Sequence, residues 1–236
     1  MALKWTDVPG WTNCMDLYDE VALTTPPYST VVEVGVCFGR SLLYLAQRIK
    51  ETGKQIQVVA VDRWEPYPEH RFIYTPGAAA NESEEQAYEY AARYNGTYGA
   101  FIHAVHASGL ADIINIVRAD SVDAARLFAR KPPHFVFIDA EHTYNAVKAD
   151  LDGWWSCGAN GSGPEWMAGD DYNPGSEVDF PGVWKAVHEK FGAENVGQRQ
   201  TTSWVVRRSH LERPAKPVAD RDAQVLEAMR PWQERP

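Results

Sequence analysis

Cysteine is scarce: Cys14, Cys37 and Cys157 are the only three among 236 residues. They are odd in number, far apart and form no C-x-x-C pair. That argues against a disulfide framework or a structural zinc site and makes a reducing compartment the expectation. No apolar run approaches the roughly 20 residues of a membrane span. The N-terminus, MALKWTDVPGWTN, lacks the apolar core of a signal peptide. Basic side chains are outnumbered, 23 Lys and Arg against 32 Asp and Glu, leaving a formal charge of −9. A chain of that sign is a poor match for a nucleic-acid backbone or an anionic membrane. The expectation is a soluble, cytoplasmic protein acting on a small molecule, with pairing into a homo-oligomer left open. No internal repeat is visible.

What the chain does have is a core. Hydrophobic residues make up 44% and aromatics 12%, which excludes disorder throughout, and the length fits one large domain. Short β-branched runs alternate with helical stretches. The strands expected are 30–34, 57–62 (QVVAVD), 113–117 (IINIV), 134–139 (HFVFID), 166–168 and 202–207 (TSWVVR). Helices are expected over 41–50, 100–107, 122–129, 144–155 and 183–191. Continuous apolar strands alternating with helices predict an α/β fold with a mainly parallel sheet. Residues 1–207 form the expected domain, and the polar tail 208–236 carries one candidate helix at 219–229. Residues 63–98 are aromatic-rich and far longer than the ~2–6 residues of an ordinary βα loop. A lid over a cleft is expected there; a surface insertion without function is the alternative.

The first strand ends in Glu33-Val-Gly35-Val-Cys-Phe-Gly39-Arg-Ser41. Glycines at this place allow a sharp turn and close approach of a ligand, and the next helix offers free N–H groups. The spacing is G-x-x-x-G. Neither G-x-G-x-x-G nor G-K-[ST] is present, which weakens dinucleotide and P-loop readings. An acidic residue two before the first glycine suits a cationic or hydroxyl-bearing ligand. Asp62 ends the second strand, where a carboxylate can accept from both ribose hydroxyls. Asp120-Ser121 follows the third strand; Asp120 can accept from an adenine amino group, cap the following helix, or do both. A tight turn without ligand and a strand-end cap are the plain alternatives for the first two.

The stretches VVEVGVCFGRSLLYLA, VVAVDRWE, INIVRADS and HFVFIDAEHTYNAVKADLDGWW resemble the class I S-adenosylmethionine-dependent methyltransferases. The last is similar to the I-D-x-x-H-x-Y-x-x-V-x-x-D-L stretch of a branch that includes macrolide-sugar O-methyltransferases. The resemblance runs from about Gly10 to about Arg207. It implies a Rossmann-like, seven-stranded sheet with helices on both faces and a reversed last strand. It also implies that Glu33, Gly35, Gly39 and Ser41 surround the methionine and ribose parts of the cofactor, that Asp62 binds the ribose, and that Asp120 and Ser121 form the adenine rim. An acidic or aromatic surround suits a cationic sulfonium.

Asp139 closes the fourth strand, and Asp170 and Asp171 follow the fifth. Oxygen ligands of this kind suit Mg²⁺. Without a cation such carboxylates repel one another and at least one pKa rises. In metal-dependent small-molecule O-methyltransferases, groups at the same strand ends bind the metal, so Asp139, Asp170 and Asp171 are the expected set. Many relatives have His-Asp where this chain has Asp170-Asp171, which leaves open whether Asp170 touches the metal. The alternative is that Asp139 only orients the cofactor. His142, three residues after Asp139, returns to the same side and has a pKa suited to accepting a proton. The resemblance adds that macrolide-sugar enzymes carry His, and catechol-type ones Lys, at this position. Lys148 and Asp150 read as a solvated helix face. The expected activity is Mg²⁺-assisted O-methylation of a sugar-bearing or phenolic natural product. A metal-free N- or O-methyltransferase and a non-catalytic cofactor-binding partner protein are the alternatives.

Overall fold

A computed structural model describes residues 2–211 of the chain. The element order is α1 (Met15–Thr24), β1 (Thr30–Val34), α2 (Arg40–Glu51), β2 (Gln57–Asp62), α3 (Glu82–Arg93), α4 (Thr97–Ser108), β3 (Ile114–Arg118), α5 (Ser121–Arg126), β4 (Phe135–Ile138), α6 (Tyr144–Trp155), β5 (Trp166–Gly169), α7 (Pro181–Phe191), β6 (Gly197–Arg199), β7 (Ser203–Arg207) and α8 (Arg208–Leu211). The seven strands form one sheet in the order β3-β2-β1-β4-β5-β7-β6. Strands β1 to β5 pair in parallel, and β7 runs antiparallel to both β5 and β6. This is the expected Rossmann-like sheet with its reversed last strand.

Alternation along each strand builds two cores, because successive side chains point to opposite faces. Val31, Val58, Ala60, Phe135, Phe137 and Trp166 pack on one face against α1, α2, α3 and α4. Val32, Val34, Val61, Val136, Ile138, Met167 and Trp204 pack on the other against α5, α6 and α7. Helix α2 shows why these segments coil: Leu42, Leu45, Ala46 and Ile49 recur at helical spacing and are buried, while Arg48 and Lys50 close the last turn beside the negative helix end. The parallel strands deliver their carboxyl ends to one edge. There the strand order reverses between β1 and β4, the place where open α/β sheets bind ligands.

Several elements differ from the sequence reading. Helix α1 escaped it, although Leu17, Tyr18, Val21 and Ala22 have helical spacing and are buried. Strand β6 escaped it because Gly-Gln-Arg carries no apolar signal; pairing with β7 alone defines it. The helix expected over 122–129 stops at Arg126. Within 63–98, a short 3-10 helix spans Pro68–Ile73, and α3 is capped by Asn81, whose side chain accepts the Glu84 N–H at 3.0 Å. Ala87 and Ala91 of α3 are buried in the first core, so this half of the insertion is packed onto the domain. The helix expected at 219–229 lies outside the described residues. No helix among the described residues is long and apolar enough to cross a membrane.

Candidate active site

A cavity of about 760 Å³ opens at the carboxyl edge of the sheet. That is the size range of small-molecule sites, ~300–1,000 Å³. Its base is the turn after β1. Gly35 has φ +84°, and a Cβ there would lie 1.9 Å from the backbone oxygen of Asp139. Only glycine lets the β1 turn pass so close to the end of β4. Gly39, φ +89°, does not line the cavity. Its bare Cα makes room for the buried Phe101 ring, which a Cβ would meet at 2.7 Å.

Glu33 is fully buried and does not itself line the cavity. It accepts hydrogen bonds from the Tyr18 hydroxyl at 2.7 Å and the Ser41 hydroxyl at 2.6 Å, and Ser41 does line the cavity. Burial pushes the Glu33 carboxyl up to about 8, against the opposing pull of those two hydroxyls. The unfolded chain ionises this group near its ordinary value, while the fold keeps it protonated until about 8, so the native state loses stability relative to the unfolded one across that window. Glu33→Gln removes the loss. The melting temperature of the wild type, measured against Glu33→Gln, should therefore fall by about 5 °C or more between pH 5 and pH 8.5. A difference independent of pH would contradict this burial effect.

Asp62 staples the turn to β2. Its Oδ2 accepts the N–H groups of Val36 and Cys37 at 2.8 and 2.9 Å, and Oδ1 accepts that of Trp64 at 2.6 Å. The Trp64 indole N–H returns a bond to the Cys37 carbonyl at 2.8 Å. Across the cavity, Asp120 caps α5 by accepting the Val122 N–H at 3.0 Å and is exposed. The Ser121 hydroxyl accepts the Trp154 indole N–H at 3.0 Å.

Next to the glycine turn, Asp139, His142 and Asp171 each offer one ligand atom, all within 4.8 Å of one another. His142 Nε2 lies 3.0 Å from Asp171 Oδ2 and 3.7 Å from Asp139 Oδ1. Burial pulls the imidazole down, but the neighbouring carboxylates of Asp139 and Asp171 outweigh that and push it up to about 11. Burial pushes Asp139 up to about 6, with His142 opposing and Asp170 adding to the rise. Asp170 stands apart from this trio: its Oδ1 accepts the Thr202 hydroxyl at 2.7 Å, and Thr202 in turn accepts from the Asn13 amide. The geometry therefore groups His142, and not Asp170, with Asp139 and Asp171. The two carboxylate oxygens suit a divalent cation; the imidazole nitrogen would complete the set only by giving its lone pair to the metal instead of to a proton.

Sequence reasoning missed three features of the site. Asp150 is 5% exposed and lines the cavity, so it is not part of a solvated face. The signal was available: Val147, Asp150, Leu151 and Trp154 share the buried stripe of α6 at helical spacing. Phe180 packs its ring 4.4 Å from that of His142. Trp11 stacks on His70 at 6.2 Å and meets Phe72 edge-on at 6.0 Å, building an aromatic mouth from the N-terminal segment and the insertion. Cys37, Trp64, Asp171 and Phe180 all line the cavity with φ values of 50°, 50°, 58° and 47°. Left-handed non-glycine residues store strain, and that strain gathers where the cavity is formed.

Residues 32–172, from β1 to just beyond β5, match a family model described as a methyltransferase domain. The chain belongs to that family. It is an S-adenosylmethionine-dependent methyltransferase. No protein of curated function matches it in sequence. Among solved structures, the methyltransferase is similar to the O-methyltransferase NovP, with 14% identity, 83% of this chain and 78% of that chain covered, and a TM-score of 0.52. It is also similar to a candidate caffeoyl-CoA O-methyltransferase from Staphylococcus aureus, with 11% identity, 85% of each chain covered and a TM-score of 0.50. A candidate rRNA methylase from Clostridium thermocellum gives 11% identity, 83% and 94% coverage, and a TM-score of 0.51. At such identities the likeness is one of fold.

Proposed function

We propose that this methyltransferase carries out O-methylation of a small-molecule acceptor, a sugar-bearing or phenolic natural product, with Mg²⁺ assisting. The observation that carries the reading is the meeting of Asp139, His142 and Asp171 beside the glycine turn, inside a cavity with room for donor and acceptor together. The donor's methionine end lies along Gly35 to Ser41, its ribose at Asp62 and its purine beside Ser121. Asp62 already holds the turn through three N–H groups, so it fixes the floor and keeps about one lone-pair site for a ribose hydroxyl.

Asp139 and Asp171 would hold the cation, with His142 beside them. When bound, it supplies Lewis acidity that makes an acceptor hydroxyl easier to deprotonate. His142 Nε2 receives the acceptor proton once the negative charge around the ring is satisfied elsewhere; with both carboxylates bare, the ring stays an imidazolium. Phe180 and the Asp171 carboxylate hold the ring in place. The segment 63–98 covers the acceptor through Trp64, Tyr67, His70 and Phe72, excluding water and holding the acceptor oxygen in line with the methyl group.

A second reading draws on the 3.0 Å ion pair between His142 Nε2 and Asp171 Oδ2, which sets opposite charges side by side without a metal. There the enzyme is metal-free, on N or O, and His142 is the one side chain beside the acceptor, orienting it as an imidazolium and taking its proton only where acceptor binding draws the two carboxylates away from the ring. Titration of Mg²⁺ and Mn²⁺ into the protein separates the two. Saturable binding that disappears in the Asp139→Asn/Asp171→Asn double variant is expected. Turnover untouched by EDTA would remove the metal and leave the second reading.

A further inference from the structure

We propose that Asp150 reads the purine of the donor: its carboxylate accepts a hydrogen of the exocyclic 6-amino group and selects adenine against 6-oxo purines. The inference rests on the donor placement above and adds a residue to it. Asp150 is buried yet borders the cavity, beside the Ser121 hydroxyl. That hydroxyl accepts the Trp154 indole N–H at 3.0 Å, which fixes the hydroxyl's place beside Asp150. A carboxylate offers about four lone-pair sites, more than a single neighbouring hydroxyl can fill. Buried carboxylates require such partners, and a neutral amino donor satisfies one without adding charge.

The wall around Asp150 has the shape of a ring slot. Ala146 and Ala149 line the cavity on the same helix at i−4 and i−1, and Val122 lines it from α5. Methyl groups beside a lone carboxylate present a flat apolar surface with one polar edge. Asp120 is the other acidic group near this rim. It is exposed, and one of its oxygens is taken by the α5 cap. Facing Asp150 are Asp120 from the β3–α5 loop and Glu141 from the loop before α6, both of which add to the effect of burial in pushing the carboxyl up to about 7, while Ser121 opposes. An ionised Asp150 repels a 6-oxo group; a protonated one can donate to it.

Calorimetry with S-adenosylhomocysteine and S-inosylhomocysteine on the full chain tests this. The wild type at pH 8.5 should prefer the adenosyl compound by about 30-fold or more, since a site built to bond a donor rejects an analogue lacking it. Asp150→Asn, whose amide can turn an N–H toward a 6-oxo group, should narrow the ratio at least tenfold, and Asp120→Asn should leave it unchanged. On the unaltered protein the ratio should also narrow from pH 8.5 to pH 6, a reading that needs no variant to fold. A ratio unmoved by Asp150→Asn, moved by Asp120→Asn, or flat with pH overturns the assignment. If the wild type binds neither compound, the donor placement itself fails, and this inference with it.

Discussion

His142→Ala is expected to lower methyl transfer about 10²–10⁴-fold with any acceptor that turns over, while S-adenosylhomocysteine binds essentially as before. The expectation follows from where the ring stands. Its Nε2 faces two carboxylates at 3.0 and 3.7 Å, its plane is packed against Phe180, and it is not among the residues that form the glycine turn or the purine wall. Removing it takes away the group that would hold the acceptor's proton and leaves the donor's contacts intact. A His142→Gln variant tests whether the proton or the shape matters, because the amide fills much of the space but cannot accept a proton at neutral pH. Equal losses in both variants support proton transfer. Near-wild-type turnover in His142→Gln would reduce His142 to a packing residue. A variant that also loses donor affinity would place the ring in the cofactor site.

Gly35→Ala is expected to be severely destabilising. The residue sits at φ +84°, where an L side chain costs ~1–2 kcal/mol before any contact is counted. The new Cβ would lie 1.9 Å from the Asp139 oxygen, 2.4 Å from its carbonyl carbon and 2.7 Å from the Ala140 Cα. These are backbone atoms at the end of a central strand and cannot swing aside as a side chain could. A loss of about 4 kcal/mol or more follows, which for a domain of this size lowers the melting temperature by roughly 10 °C. Gly109→Ala is the contrast. It shares a positive φ, +72°, but a Cβ there meets nothing within 4 Å, so it carries the conformational cost alone. Equal melting temperatures for the two variants would show that crowding at Asp139 costs little.

Both predictions concern one narrow place, and the sequence pointed to it for reasons that can be separated from the fold. The order of strand, glycine turn, helix, strand-end Asp and Asp-Ser is a local matter. Alternating apolar runs fix which segments become strands, and a parallel sheet then delivers every strand's carboxyl end to one edge. Asp62, Ser121, Asp139, His142, Asp170 and Asp171 all reach the cavity wall for that reason. Glu33 and Gly39 were read as touching the cofactor but face inward, supporting Ser41 and Phe101. Strand alternation decided that outcome for Glu33, since Val32 and Val34 on either side point to the opposite core.

Short-range pattern and chain order were enough for the α/β class and for the edge on which chemistry gathers, and likeness to a known family supplied the reversed last strand. Which charged groups meet was settled instead by the packing of segments far apart in the chain. Asp170 turned to Thr202 and, through it, to Asn13 near the N-terminus, while Asp171, the very next residue, turned to His142. Asp150 became a buried wall of the cavity because α6 packs its apolar stripe against α5 and the sheet, and a carboxylate placed within that stripe is buried with it. Desolvation and pairing are set by neighbours distant in sequence, and no local pattern records them.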